Sequence, residues 1–303
     1  MSIVVGVDPA HRSASALHLA AMLARSSGTG LLVAAVVPPA WPTTAGGADA
    51  EWRRYTRDNA DSALDHAAAV LGTSVAAEYV LHEAPSARRG LVGLAEEREA
   101  ALIVVGSATD GPIGRIALGA ESDTLLHASP VPVAIAPRGY RTQQGSRVSR
   151  VTAAYRGTGA SAGLVLGAAA VAASVGAELR IASFAVVPPD SGTSGAGLDA
   201  EQAIADTWAA DVERHAASVV RRVSELDDAP AVAGVAIGMG ETWESAMADV
   251  AWEPDEVLVV GSSTLGPIAR VFLGSHAAKI VRHSPVPVVV VPHGVAARES
   301  GAA

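Results

Sequence analysis

The residues best placed to do chemistry lie in two loops of matching composition. One runs from Gly106 to Gly119, entered by Val104-Val105-Gly106-Ser107 and left through Gly119-Ala120; the other runs from Gly261 to Gly274, entered by Val259-Val260-Gly261-Ser262 and left through Gly274-Ser275. Glycine lets backbone amides come close to an oxyanion, and a helix that begins straight after the loop adds free N–H groups and the positive end of its dipole. Each loop therefore reads as a cradle for phosphate. Arg115 and Arg270 hold equivalent positions and could add a guanidinium, against the plainer reading of each as a solvated surface arginine.

Other constellations carry less. Gly157-Thr158-Gly159-Ala160-Ser161-Ala162 fits a G-x-G-x-x-[GA] dinucleotide fingerprint, which also needs an acidic residue about 20 positions on, at the end of the second strand. Glu178 has the spacing but precedes that strand, and the first half has Asp8-Pro9-Ala10 in the same place, so these glycines read as a turn and a helix entry. The nine histidines include no H-E-x-x-H pair; His276 and His283, on either side of Lys279, read as solvated or packed. Asp58, Asp61 and Asp65 beside His66 read as the outer face of a helix. No nucleophile elbow, phosphate-binding P-loop or serine-lysine pair occurs. Nothing nominates a catalytic base or nucleophile, so the chain is not read as an enzyme, with slow ATP hydrolysis left open.

The elements that must position these loops follow from hydrophobic periodicity. Short β-branched runs at 3–7, 31–37, 76–81, 101–105 and 131–136 are strand candidates. Between them, 13–26 puts Leu17, Ala20, Ala21 and Ala24 on one helical face, and 86–97 does the same with Leu91, Leu94 and Ala95. In the second half, 199–226 places Ile204, Trp208, Val212, Val219 and Val223 on a similar stripe. Strands apolar throughout and alternating with helices imply a parallel sheet covered on both faces, a doubly wound α/β fold. Such folds bind ligands beyond the carboxyl ends of the strands. Here those ends are Val7-Asp8 and Tyr155-Arg156, Val36-Val37 and Val186-Val187, and the two glycine loops.

The halves are copies. Segment 104–137 recurs as 259–292 without a gap, Gly106 answered by Gly261, Gly119 by Gly274 and Pro130 by Pro285. Upstream, Ala35-Val36-Val37-Pro38-Pro39 is answered by Ala185-Val186-Val187-Pro188-Pro189 at a slightly shorter offset, which places small insertions in loops. A match of this length means duplication. The stretch 138–150, with Gly139, Gln143, Gln144, Gly145 and Ser146, is the natural linker, giving domains at 1–140 and 148–303.

Composition narrows the partners. With 303 residues, 50% hydrophobic and only 4% aromatic, each half can bury a core of small aliphatic side chains. A net charge of −9 sets nucleic acid and anionic membranes aside as main partners. The absence of cysteine removes disulfides and thiolate chemistry. No signal peptide is visible ahead of 3–7, and the longest apolar helical run, 162–177, is interrupted by Gly163, Gly167 and Gly176 and is shorter than the roughly 20 residues a membrane span needs. That run is predicted to be a buried helix, and the chain to be cytoplasmic.

Together with their V-V-G-S entries and the following P-V-P-V segments, both loops resemble the G-x2-G-x9-G-[ST] loop of the universal stress protein family, and the likeness covers nearly the whole chain. The resemblance implies Rossmann-like units of five mainly parallel strands that pair through strand 5, making a tandem chain an intramolecular pseudo-dimer, with further homodimerisation open. It also brings ATP, with magnesium, as a candidate ligand, since some members bind it and others do not. Carried over residue by residue, the implied site of the first half is Asp8 at adenine and ribose, Val36 at the base, and Gly106, Ser107, Gly119 and Ala120 at the phosphates. The second half offers Val186, Gly261, Ser262, Gly274 and Ser275.

Each half departs from the pattern. Thr109 and Thr264 replace the motif's second glycine, with Gly111 and Gly266 two residues on. Ala120 lacks the closing hydroxyl in the first half, and Arg156 replaces the strand 1 aspartate in the second. A missing neutral hydrogen bond is worth about 0.5–1.5 kcal/mol, enough to weaken a site without abolishing it. The expected function is that of a stress-response regulator whose nucleotide occupancy, favoured in the first half by Asp8, adjusts the strand 4 loop and its contacts with a protein partner. The alternative is a nucleotide-free interaction module.

Overall fold

The computed structural model describes residues 2–11, 13–39, 48–127, 129–187, 196–262 and 274–292. In the first half β1 (Ser2–Val7), α1 (Ser15–Ser27), β2 (Gly30–Val37), α2 (Ala48–Leu71), β3 (Ala77–Glu83), α3 (Ala87–Glu97), β4 (Leu102–Gly106), α4 (Ala120–Leu126) and β5 (Val133–Ala136) alternate as the periodicity predicts. The second half repeats them as β6 (Arg150–Ala154), α5 (Gly159–Val175), β7 (Glu178–Val186), α6 (Ala196–Ser224), β8 (Val232–Gly240), α7 (Trp243–Ala248), β9 (Glu256–Gly261), α8 (Ser275–His283) and β10 (Val288–Val291). The apolar run at 162–177 falls largely on α5, which buries Ala162, Val165, Ala168, Ala169 and Ala172 on one face only, with Val171 47% exposed on the other.

Strand order shows where the two halves meet. The sheet runs β3-β2-β1-β4-β5-β10-β9-β6-β7-β8. All neighbours pair in parallel except β5 and β10, which are antiparallel with Val133 opposite Val290 and Ile135 opposite Val288. The two five-stranded units join through β5 and β10, the strand 5 pairing that the resemblance implies, and so form one sheet of ten. Within each half the order reverses once, between β1 and β4 and between β6 and β9. Those switch points are where an open α/β sheet leaves a crevice.

Alternation along the strands divides the core into two layers. Ile3 and Val5 of β1 face Leu17, Ala20 and Ala24 of α1, a layer that continues through α2, α5 and α6. Val4 points the other way, into the layer of Leu91, Leu94, Leu126, Met247 and Ile280 contributed by α3, α4, α7 and α8. The linker is packed rather than loose: Arg25 Nε donates to the Ser146 carbonyl at 2.8 Å, and the Val148 amide donates to Ser26 Oγ at 2.8 Å. Tyr140 lies against α1, and burial raises its phenol pKa well above the usual value.

The halves differ most at the amino ends of their strands. Val4 and Leu32, paired neighbours in the first half, correspond to Thr152 and Arg180 in the second. Arg180, 7% exposed, donates to Thr152 Oγ1 at 3.1 Å, to the Ala251 carbonyl at 2.7 Å and to the carboxylate of Glu256, which is 0% exposed. Arg150 adds ion pairs to Glu253 at 2.7 Å and Glu178 at 3.3 Å, and Trp252 stacks beneath the Arg180 guanidinium with 4.9 Å to its ring centroid. Burial lowers the Arg180 pKa, opposed by Glu256. Removing one member of such a set strands the other charge, at a cost of about 3–5 kcal/mol, whereas replacing both with apolar groups is often neutral. Urea denaturation should therefore show Glu256→Ala destabilised by that amount and the double variant Arg180→Met/Glu256→Leu close to the parent.

Candidate functional site

In the first half the switch point brings together Asp8, just after β1, and Gly106 with Ser107, at the end of β4. Gly106 leaves the edge open: a Cβ built there would meet nothing nearer than Ala16 Cβ at 4.0 Å. Asp8 is exposed but already engaged, Oδ1 accepting the Ala10 amide at 2.8 Å and Oδ2 paired with His11 Nδ1 at 2.8 Å. Val36 is half-buried and turned into the layer under α3, where a Cβ on Gly90 would strike both of its methyl groups at 2.8 Å.

The loop between β4 and α4 closes on itself. The Ser107 hydroxyl accepts the Ala117 amide at 2.8 Å, and the Ala108 amide donates to the Ala117 carbonyl at 2.9 Å. Gly111 is pressed against Ala117 so closely that any Cβ would collide with it. Gly111 is thus a packing glycine in this arrangement, whereas Thr109, which the family pattern places at the phosphate approach, is exposed. The far end is strapped to the residue that begins the linker: Arg138 donates to the Gly111 carbonyl, its amide to Arg115 O at 2.9 Å, and its carbonyl accepts the Gly114 amide at 2.9 Å. Arg115 is not the solvated arginine of the plainer reading. Its guanidinium crosses to Glu244 of α7 at 3.5 Å, so this loop bridges the two halves.

The exit from the loop is the most site-like feature. Gly119 is extended, at φ −74° and ψ 168°, and α4 starts after it with no side chain capping its first turn. By contrast α3, α5 and α7 are capped by Ser86, Thr158 and Thr242. A Cβ on Gly119 would sit 3.3 Å from Ala108 Cβ, tight enough that a larger residue would displace the loop. Ala120 is exposed at the start of the helix and brings no hydroxyl.

The second half builds the same frame with different charges. Gly261 ends β9, the Ser262 amide donates to Val291 O at 2.9 Å, and Gly274 enters α8 extended at φ −66° and ψ 160°, again with no capping side chain. Ser275 is exposed and Val186 half-buried at the end of β7. Thr264, Gly266 and Arg270 lie outside the described residues, as do Pro188 and Pro189. Arg156 stands where the first half has Asp8. The glycines of 157–162 form a turn, Gly157 at φ 71°, leading into a reciprocal cap between Thr158 and Ser161 that occupies the start of α5. Glu178 begins β7 at the opposite edge and pairs with Arg150. Neither residue set is arranged to hold a dinucleotide. His276 stacks edge-on against Trp243 with ring centroids 4.6 Å apart, and Lys279 lies 5.8 Å from the same ring. Burial, Arg156 and Lys279 together lower the His276 pKa. Beside the second switch point stand Arg156 and Lys279, where the first has Asp8 paired with His11.

Among the described residues no three His, Asp or Glu side chains form a metal-binding group, and no helix is long and apolar enough to cross a membrane. Asp58, Asp61 and Asp65 are exposed on α2, as their spacing implies. The family model described as the universal stress protein family matches residues 1–137 and again 148–292. Universal stress protein Rv2319c of Mycobacterium tuberculosis (strain ATCC 25618 / H37Rv) is 36% identical over 303 residues, covering 96% of this chain and 100% of the relative. A universal stress protein from Mycobacterium bovis, Mb2346c, matches to the same extent. Among solved structures, a universal stress protein from Archaeoglobus fulgidus superposes with TM-score 0.59 at 19% identity, covering 97% of this chain and 98% of that one. A putative universal stress protein from Pseudomonas aeruginosa gives 0.55 at 15% identity, with 98% and 95% covered. A ten-stranded sheet with its order reversed once in each half, a family model matched twice and 36% identity from end to end place this chain in the universal stress protein family.

Proposed function

We propose that this is a cytoplasmic stress-response regulator of two domains, 1–140 and 148–303, whose first domain binds an adenine nucleotide and relays its occupancy to a protein partner without acting as an enzyme. The observation that carries this reading is the uncapped start of α4 behind extended Gly119, which packs against Ala108 just beyond the end of β4. Free first-turn amides and the helix dipole suit a phosphate. Gly119 and Ala120 would hold phosphate through their backbone, beside Gly106 and Ser107, whose amide already donates to Ala136 O at 3.0 Å, with magnesium carried on the ATP itself. Asp8 would accept from the ribose or base by giving up its turn with His11, beside the backbone of Val36. In the second domain Val186, Gly261, Ser262, Gly274 and Ser275 keep the frame, but Arg156 supplies a donor where the nucleotide needs an acceptor.

A second reading has one observation in its favour. The bonds of Ser107, Arg138 and Arg115 tie the loop to itself and to the other half, which suits an interaction module whose loop has been freed from phosphate binding. Calorimetric titration with magnesium ATP separates the two. Saturable binding is expected for the parent protein, about tenfold or more weaker in Asp8→Ala, since a hydrogen bond to a charged group is worth about 1.5–3 kcal/mol, and lost in Gly119→Val. No heat up to millimolar ATP would leave the interaction module standing.

A further inference from the structure

We propose that the cleft between α1, the carboxyl end of α2 and the linker binds a small organic monocarboxylate, with the carboxylate on Arg25 and the apolar body on Leu17, Ala21 and Leu71. The cleft has a volume of about 490 Å³, in the range of small-molecule sites. Gly72, at φ 53°, turns the chain out of α2 into Thr73 and Ser74, which form one wall, and Thr142, Gln143 and Gln144 of the linker form another. None of its lining residues belongs to the strand 4 loop or to Asp8, so the site does not depend on the nucleotide reading.

An apolar floor here meets polar groups that the protein leaves open. Leu17, Ala21 and Leu71 are buried core residues whose edges reach the cleft. Of the polar side chains lining it, two are engaged: Ser74 Oγ donates to the Leu71 carbonyl at 2.7 Å, and Arg25 Nε donates to the Ser146 carbonyl at 2.8 Å. The terminal nitrogens of Arg25, the ring nitrogens of His18 and the side chains of Thr73, Thr142, Gln143 and Gln144 have no hydrogen-bond partner among the described residues. Arg25 lies two turns along α1 from His18, on the same face of the helix. Its Nε bond to the linker fixes the guanidinium and leaves the terminal N–H groups free to meet a ligand.

Charge selects the ligand class. No carboxylate lines the cleft. Burial lowers the His18 pKa, and Arg141 and Arg25 lower it further, so its imidazole is neutral at physiological pH. Arg25 is therefore the one formal charge on the lining. Arg141 and Arg147 add positive field from beside it, while Asp255 opposes it, as does the carboxyl end of α2, which has no basic residue in its last turn. That balance suits a single negative charge better than a phosphate dianion. A floor of aliphatic carbon suits an organic acid better than an inorganic ion, and the arginine fork matches the two oxygens of a carboxylate.

Titration of the intact, isotope-labelled chain with sodium benzoate, followed by amide chemical shifts, tests the proposal. Saturable shifts are expected at Thr73, Ser74, Thr142, Gln143 and Gln144. Benzamide has the same shape without the charge and should bind about tenfold or more weakly, as should benzoate to Arg25→Gln. Arg25→Lys also gives up the Nε bond to Ser146 but keeps the charge, so it should bind benzoate more tightly than Arg25→Gln does. The proposal is overturned if millimolar benzoate gives no saturable shift, if the shifts fall on Gly106–Ala120 instead, or if benzamide or Arg25→Gln matches benzoate with the parent protein. Equal loss in Arg25→Lys and Arg25→Gln would overturn it too, by reducing Arg25 to an anchor for the linker.

Discussion

The antiparallel pairing of β5 with β10 is the constraint from which the rest of this molecule follows. Both strands have only four residues, and either one alone would leave a fully apolar edge open to aggregation. Joined, they make one sheet whose outer edges are β3 and β8, and every residue of β5 is buried. The junction also lets α1 meet α5 on one face and lets the loop of the first half reach α7 through Arg115 and Glu244. A linker packed along α1, held by Arg25 and Ser26, fits a pair of domains that do not separate.

Within that shared frame duplication has been followed by divergence in the side chains that meet at strand ends. At the amino edge the first half keeps Val4 and Leu32 while the second substitutes Thr152 and Arg180 and buries Glu256 to match. The carboxyl edge has Asp8 on one side and Arg156 beside His276 and Lys279 on the other. Backbone features persist in both halves, including the extended glycine before an uncapped helix. A frame built from backbone tolerates such changes because the sheet register does not depend on them.

Much of this was legible in the sequence. The gapless repeat, the alternation of β-branched runs with helical stripes and the glycine loops located the five strands of the first half to within two residues and indicated a doubly wound fold. What was not legible depends on pairs far apart in the chain. Arg180 and Glu256 become partners only once β7, β6 and β9 lie side by side, and Arg115 finds Glu244 only across the junction. The closed loop was likewise hidden, since the bond between Ser107 and the Ala117 amide is a matter of loop conformation rather than residue type.

Whether both halves share one continuous sheet is tested most directly by hydrogen exchange of the intact chain. The amides of Val133–Ala136 and Val288–Val291 should be among the slowest to exchange and should open together with the central strands β1 and β9. If those two segments instead exchange rapidly, as edge strands do, while β1 and β9 stay protected, the halves are separate sheets and the ten-stranded arrangement is contradicted.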